Sequence, residues 1–111
     1  MFIGREDSIE RMETSNLVRP PESRMMKSGR VRLMPGEQVG EHVTERREEM
    51  LDVIKGEAVV VEEGNQTRLK QGETRFIREG VKHNVMNLAG SPLEYVYVVS
   101  DLSDSLSKEK P

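Results

Sequence analysis

Short apolar runs separated by turn-forming residues occupy the chain from Val31 onward. The runs are rich in Val, Ile and Thr, and glycine or proline interrupts them at intervals of about 8 to 20 residues. The interruptions lie at Pro35-Gly36, Lys55-Gly56, Glu63-Gly64-Asn65, Gln71-Gly72, Glu79-Gly80 and Ala89-Gly90-Ser91-Pro92. This pattern predicts an all-β domain, an antiparallel sandwich or barrel, with little helix.

The individual runs predict six strands, at residues 51–54, 58–62, 67–69, 76–77, 83–86 and 93–100. Gly64 and Asn65 both tolerate a positive φ, so we expect them to form the tight hairpin between the second and third of these strands. The last strand is apolar at both alternating sets of positions, which predicts burial on both of its faces.

The two ends of the chain are polar and differ from the central region. Residues 1–28 contain Pro20-Pro21 and only a weak helical pattern at 9–12, so we interpret them as an N-terminal arm. Residues 29–100 form the predicted barrel, and 101–111 form a polar C-terminal tail that we expect to fray. Residues 16–30 of the arm could add a strand to a neighbouring subunit, and we therefore expect a homodimer.

Composition narrows the class of protein further. A chain of 111 residues predicts one domain, and its formal net charge of -3 gives no reason to expect a nucleic-acid or anionic-membrane partner. The absence of Cys excludes thiolate metal sites and fits a reducing cytoplasm. We find no signal-peptide pattern and no apolar run long enough to span a membrane, so the expectation is a cytoplasmic protein that acts on a small molecule.

Glycines bracket the two histidines of the chain at regular spacings. Five residues separate Gly36 from His42, one separates His42 from Thr44, four more lead to Glu49, and six lead to Gly56. A second set follows, in which two residues separate Gly80 from His83, and three separate His83 from Asn87.

This arrangement resembles the two conserved motifs of the cupin superfamily, and the resemblance covers Gly36 to Asn87, about half of the chain. The segment between the motifs, 57–71, is as short as in small single-domain cupins. The resemblance implies an antiparallel double-stranded β-helix, or jelly-roll barrel, with a metal site inside it.

Strand alternation indicates which carboxylate points into the barrel. Glu49 shares its face with Leu51 and Val53, whereas Glu48 shares its face with the charged Asp52. The first face is the more apolar, so we expect Glu49 to point inward. A buried carboxylate without a cation or hydrogen-bond donor would be costly, which favours a partner for it there.

The histidines follow the same rule. His42 and Thr44 lie on one face of their strand, and His83 lies on one face with Val85 and Asn87. Both imidazoles could therefore converge with Glu49 inside the barrel.

The sequence departs from the family pattern at two positions. Thr44 stands where the second His usually stands, and Arg78 replaces a Pro of the second motif. The ligand set that the resemblance implies is therefore His42, Glu49 and His83, a two-His-one-carboxylate set suited to Fe, Mn, Ni, Co or Zn. Thr44 could hold a bound water, or it could be an ordinary strand residue.

A metal-free barrel is the alternative to this site. In that interpretation the two histidines are hydrogen-bonded polar groups of a ligand pocket, or they pair with Glu49.

Further residues are candidates for a pocket wall or for a position behind the metal ligands. Each has an ordinary structural explanation as well, such as core packing for the methionine or solvent exposure for the arginine. The candidates are Thr44, Met34, Arg75, Val85 and Asn87.

Three functional hypotheses follow. The first is a metal-dependent enzyme of the isomerase or dioxygenase type that the cupin resemblance implies. The second is a metal-free barrel that binds a small ligand or effector without catalysis. The third is a metal-free enzyme that uses a histidine as general base, as sugar-nucleotide epimerases of cupin type do.

Overall fold

The computed structural model describes residues 12–102, which form nine β-strands and no helix. The strands are β1 (Glu13–Val18), β2 (Met26–Leu33), β3 (His42–Val43), β4 (Arg47–Lys55), β5 (Glu57–Glu62), β6 (Asn65–Lys70), β7 (Thr74–Ile77), β8 (Lys82–Met86) and β9 (Leu93–Asp101). No helical segment in this part of the chain has the length and hydropathy needed to cross a membrane.

The strands form two antiparallel sheets. One sheet has five strands in the order β1-β2-β9-β4-β7, and the other has four in the order β3-β8-β5-β6. Neighbours in the sheets are often distant in sequence, since β9 lies between β2 and β4. This topology confirms the all-β barrel that the sequence predicts.

The core lies between the two sheets and is built by strand alternation. On β4, Leu51 and Val53 are each only 1% exposed, whereas Met50 on the opposite face is 44% exposed. The other members of the core are Val31, Leu33, Ala58, Val60, Leu69, Ile77, Val85, Leu93 and Tyr95. The assignment of Glu49 to the inner face of β4 is thus correct, because it shares that face with Leu51 and Val53.

The β5–β6 hairpin is present, but its turn lies one residue earlier than predicted. Glu62 pairs with Asn65, which leaves Glu63 and Gly64 as the two turn residues. Both have positive φ, 48° at Glu63 and 83° at Gly64, as a two-residue hairpin of this hand requires. Asn65 therefore belongs to β6, and the expected Gly64-Asn65 turn is wrong by one position.

One motif glycine is required by a close backbone approach. Gly56, in the turn between β4 and β5, has a φ of 86°. A Cβ at this position would collide with the carbonyl oxygen of Pro92. Both observations exclude an ordinary side chain there.

The predicted N-terminal arm contains a strand. β1 pairs with β2 of the same chain, from Glu13 opposite Arg32 to Val18 opposite Ser28, and forms an edge of the five-stranded sheet. β2 begins at Met26, a little before the predicted barrel boundary at residue 29. Residues 1–11 and 103–111 lie outside the described residues, and with them most of the weak helical pattern and of the C-terminal tail.

β9 is buried on one face rather than two. Leu93, Tyr95 and Val99 face the core and are buried, whereas Val96 and Val98 face outward and are only half-buried. The outward face is apolar because it continues an apolar row across the sheet, in which Phe76 lies opposite Met50 and Met50 lies opposite Val98. We call these three residues the outer apolar row.

Candidate metal centre

The two histidines lie opposite one another on neighbouring strands. His42 on β3 is the cross-strand partner of His83 on β8, and their ring centroids are 4.2 Å apart with the planes tilted by 58°. Glu49 approaches from β4 of the other sheet, where its Oε1 lies 3.3 Å from Nε2 of His83. The cluster therefore joins the two sheets, and one ligand atom from each of the three residues lies within 4.8 Å of the others.

Backbone carbonyls fix the orientation of both rings. Nδ1 of His83 lies 3.0 Å from the oxygen of Val81, and Nδ1 of His42 lies 2.9 Å from the oxygen of Gly40. A carbonyl oxygen only accepts hydrogen bonds, so in each ring Nδ1 carries the proton and donates it. The lone pair of each neutral ring is then on Nε2, which is the arrangement of a histidine held ready to bind a metal.

Asn84 holds the loop that orients His42. The Gly40 N–H donates to Oδ1 of Asn84 at 2.9 Å, and Nδ2 of Asn84 donates to Oε1 of Gln38 at 2.6 Å. Asn84 is 9% exposed although it lies on the opposite face of β8 from His83. Strand alternation places it away from the barrel interior, so no sequence pattern indicates this role.

The carboxylate and the buried ring form a charged pair only when the ring is protonated. Burial lowers the pKa of His83, but Glu49 and the Val81 carbonyl more than offset that effect and raise the pKa above its ordinary value. His83 is 1% exposed, and its Nε2 makes no hydrogen bond of normal geometry within residues 12–102. A proton on the ring or a metal ion at this point would satisfy both His83 and Glu49.

Thr44 presents a buried hydroxyl that is also without a partner. Its side chain is 7% exposed, and Oγ1 makes no hydrogen bond to any described residue. Its backbone oxygen is occupied, because it accepts from the N–H of Gly80 at 2.9 Å. The hydroxyl is therefore available to a ligand, as the water-holding interpretation of Thr44 requires.

The cluster lies in a cavity of about 290 Å³. Thr44 and Val85 line this cavity beside the three cluster residues. Tyr95 and Tyr97 also line it and were missed, although both share the inner face of β9 with Leu93 and Val99. Burial, with Glu49 and Tyr97 adding to it, raises the pKa of the Tyr95 hydroxyl, which therefore stays protonated. The remaining wall combines apolar side chains with the charged side chains of Lys27, Glu45 and Arg47, and its valines are Val31, Val39, Val43 and Val99.

Three of the candidate pocket residues lie elsewhere. Met34 is 38% exposed and does not line the cavity. Arg75 donates to Glu62, with Nη2 2.6 Å from Oε1, beside a different cavity, and that hydrogen bond raises the pKa of its guanidinium. Asn87 is fully buried and donates to the oxygens of Leu33 and Ser91, so it joins loops and does not face the cavity.

The donor set fits a divalent transition metal. Two imidazole nitrogens and one carboxylate oxygen converge from two sheets, and the orphaned Nε2 of His83 is one of those donors. Such a set suits Fe, Mn, Ni, Co or Zn and leaves coordination positions open for other oxygen ligands. The residues alone do not select among these metals.

Comparisons with known proteins agree with this fold. Residues 29–99 match the family model described as the cupin domain. Tetracenomycin polyketide synthase protein TcmJ of Streptomyces glaucescens is 33% identical over 75 residues, which is 68% of this chain and 50% of that protein. The oxalate-binding protein of Thermotoga maritima is 31% identical over 70 residues, 63% of this chain and 58% of that protein. The chain thus spans between half and three-fifths of the length of these relatives.

Solved structures give the same result. A predicted oxalate decarboxylase from Thermotoga maritima superposes with a TM-score of 0.77 at 27% identity, covering 82% of this chain and 81% of that one. The cupin domain of Schizosaccharomyces pombe Cnp3 superposes with a TM-score of 0.78 over 88% of this chain and 69% of that one. Its identity of 13% supports the fold alone.

Proposed function

Because this chain belongs to the cupin family, we propose that its barrel holds one divalent transition-metal ion at His42, Glu49 and His83 and binds a small molecule beside that ion. The observation that carries the proposal is the orientation and tautomer of the two histidine rings. Each Nδ1 donates to a backbone carbonyl, so each Nε2 lone pair is left for the cluster. The Glu49 carboxylate supplies the negative charge that a divalent ion needs.

The surroundings suit a small ligand with oxygen donors. When bound, the metal would supply Lewis-acid polarisation or redox chemistry. The Thr44 hydroxyl can donate to a ligand oxygen, while the valine and tyrosine side chains of the cavity offer apolar contacts to the rest of the ligand. The relative from Thermotoga maritima that is named an oxalate-binding protein supports a small carboxylic acid as the ligand class.

Catalysis of the isomerase or dioxygenase type is the finer part of the proposal. Both reaction types need a ligand oxygen held at the metal and a proton acceptor nearby. Glu49 is the carboxylate of the cluster, and its second oxygen is the group able to move a proton.

A metal-free binding barrel is the second candidate, and one observation favours it. The raised pKa of His83 means that a proton on that ring can satisfy Glu49 without a metal. In that case Thr44 marks the loss of one ligand, and the cavity binds an acid or a neutral effector without turnover.

Metal analysis with matched carboxylate variants decides between these candidates. We expect about one equivalent of metal in protein purified without chelator, and far less in Glu49→Gln and His83→Ala. Glu48→Gln is the control, because it removes the same charge from the opposite face of the same strand. Sub-stoichiometric metal in the parent, unchanged in all three variants, would establish the metal-free barrel.

We also propose a homodimer and a cytoplasmic location. The exposed outer apolar row and the free edge of β1 are surfaces that a second copy could cover. Light scattering of the parent should give twice the monomer mass, and Met50→Glu should reduce it. A monomeric parent at tens of micromolar would exclude the dimer.

A further inference from the structure

A second cavity of about 290 Å³ adjoins the first. Most of the charged side chains in its wall are basic. Four basic side chains line it, together with one carboxylate. They come from the turn after β1, from β2 and from the start of β4. The basic residues are Arg19, Arg24, Lys27 and Arg47, and the acid is Asp101.

None of these four basic side chains forms an ion pair with another described residue. The ion pairs seen in the described chain involve Arg32, Arg68, Arg75 and His83, and none includes a basic residue of the second cavity. Asp101 is the cross-strand partner of Arg47, but the two side chains do not form an ion pair. Four cations in one concave site, none of them ion-paired with another residue of 12–102, are unexpected in a chain whose net charge is -3.

The second cavity shares part of its wall with the cavity of the three-residue cluster. Lys27, Arg47 and Val99 line both of them. Lys27 pairs with Val99, and Val99 pairs with Glu49, so the three lie in one row across neighbouring strands. With about 4.8 Å between strands, the backbones of Lys27 and Glu49 are roughly 10 Å apart.

We propose that the second cavity binds the anionic end, a phosphate or a carboxylate, of a ligand whose other end lies at the cluster of His42, Glu49 and His83. Guanidinium groups bind both kinds of anion through charge-assisted hydrogen bonds. The row geometry limits the ligand to a chain of roughly 10 Å between its two polar ends. Only the placement of the second end rests on the proposed function.

The first experiment tests the anion site alone. Inorganic phosphate is titrated into the full chain at low ionic strength, with amide shifts followed by NMR. We expect Arg24→Gln to weaken binding about fivefold. Arg78→Gln, which removes the same charge near a different cavity, should leave the affinity unchanged. Arg19→Gln is the second variant, in case Arg24→Gln does not fold.

His83→Ala separates this proposal from the metal site. Its phosphate affinity should equal that of the parent, so loss of the metal does not remove the anion site. Repeating the titration with acetate distinguishes a phosphate ligand from a carboxylate ligand, since the more tightly bound probe identifies the anion that the cavity prefers. Equal phosphate affinities in the parent, Arg24→Gln and Arg19→Gln would overturn the proposal.

A second experiment tests the two-ended ligand on metal-loaded protein. Azelate, a nine-carbon acid with a carboxylate at both ends and about 10 Å between them, should bind about tenfold more tightly than nonanoate, and Arg24→Gln should remove that advantage. Equal binding of the two acids, with phosphate binding intact, would overturn the proposal that one ligand spans both cavities.

Discussion

His83 and Asn87 lie on the same face of one segment of chain, and both are buried, at 1% and 0% exposure. Their hydrogen bonding differs completely. The Asn87 amide donates to the oxygens of Leu33 and Ser91, and its Oδ1 accepts from the N–H of Ala89. His83 has Nδ1 bonded to Val81 and Nε2 without a hydrogen-bond partner of normal geometry among the described residues.

The difference separates a polar group whose hydrogen bonds are all made within the fold from one that is left open to a ligand. A buried polar group whose bonds are all made stabilises the fold, because each lost bond would strand its partner away from water. A buried group left unpaired destabilises the fold until a ligand or ion satisfies it. The second site of this kind is the Thr44 hydroxyl, which lines the same cavity as His83.

The largest expected effect is the loss of stability when Asn87 is replaced. Asn87→Leu keeps the volume but strands the buried oxygen of Leu33 and removes the bonds to Ser91 and Ala89, so we expect it to lower the free energy of unfolding by about 3 kcal/mol. Chemical denaturation measures this, with the exposed Asn65→Leu as control. Metal affinity of the folded variant should change by less than about threefold. A loss below about 1 kcal/mol would show that Asn87 does not hold these loops.

Substitution of His83 by leucine should have the opposite effect, with a large loss of metal affinity and a small loss of stability. His83→Leu removes a metal donor, so the affinity should fall at least about 100-fold, or roughly 2.7 kcal/mol. Above neutral pH, where the ring is not needed as a cation, the metal-free protein should lose less than about 1 kcal/mol of stability. Competition titration against a chelator measures the first effect. Equal losses of stability in the two leucine variants would abolish the distinction.

Completing the ligand set should have a moderate effect. Thr44→His places a third imidazole where the family usually has one, and we expect metal binding to tighten about tenfold, or by about 1.4 kcal/mol. The same chelator titration detects it. An unchanged affinity would mean that the Thr44 side chain does not face the ion.

The smallest expected effect comes from removing the unpaired hydroxyl. Thr44→Val keeps the shape and removes an unsatisfied polar atom, so the metal-free protein should gain about 1 kcal/mol. Thr74→Val on β7 is the control, because Thr74 is exposed. Destabilisation by Thr44→Val alone would show that the hydroxyl makes a structural bond.

Strand alternation predicted most of the barrel and part of the site. It distinguished Glu49 from Glu48, because the inner face of β4 is apolar and the outer face carries Asp52. It could not anticipate the side-chain bonds of Asn84 and Asn87, since those depend on loops that fold back from distant positions. The unpaired state of Nε2 in His83 depends on how the sheet that carries His83 packs against the sheet that carries Glu49. A local sequence pattern contains no information about that packing.

The structure differs from the sequence-based prediction at two further places, the β5–β6 turn and β1, and each difference has a local physical cause. The hairpin turn begins at Glu63 because the register of β5 and β6 pairs Glu62 with Asn65, and a hairpin's register overrides the preference of Asn for turns. β1 was interpreted as an arm because its six residues are almost all exposed at the edge of the sheet, which leaves no alternation to detect.

The position of β9 between β2 and β4 governs the order in which the molecule can be made. β9 joins residues far apart in the chain, as Leu33 and Leu93 are, and such pairings form slowly because a long loop must close first. Until β9 has left the ribosome, the sheet that carries Glu49 cannot close beside the sheet that carries the histidines. The three proposed metal donors, although all synthesised earlier, are therefore brought together only when the last strand is in place, and we expect a chain interrupted before Leu93 not to bind a metal ion.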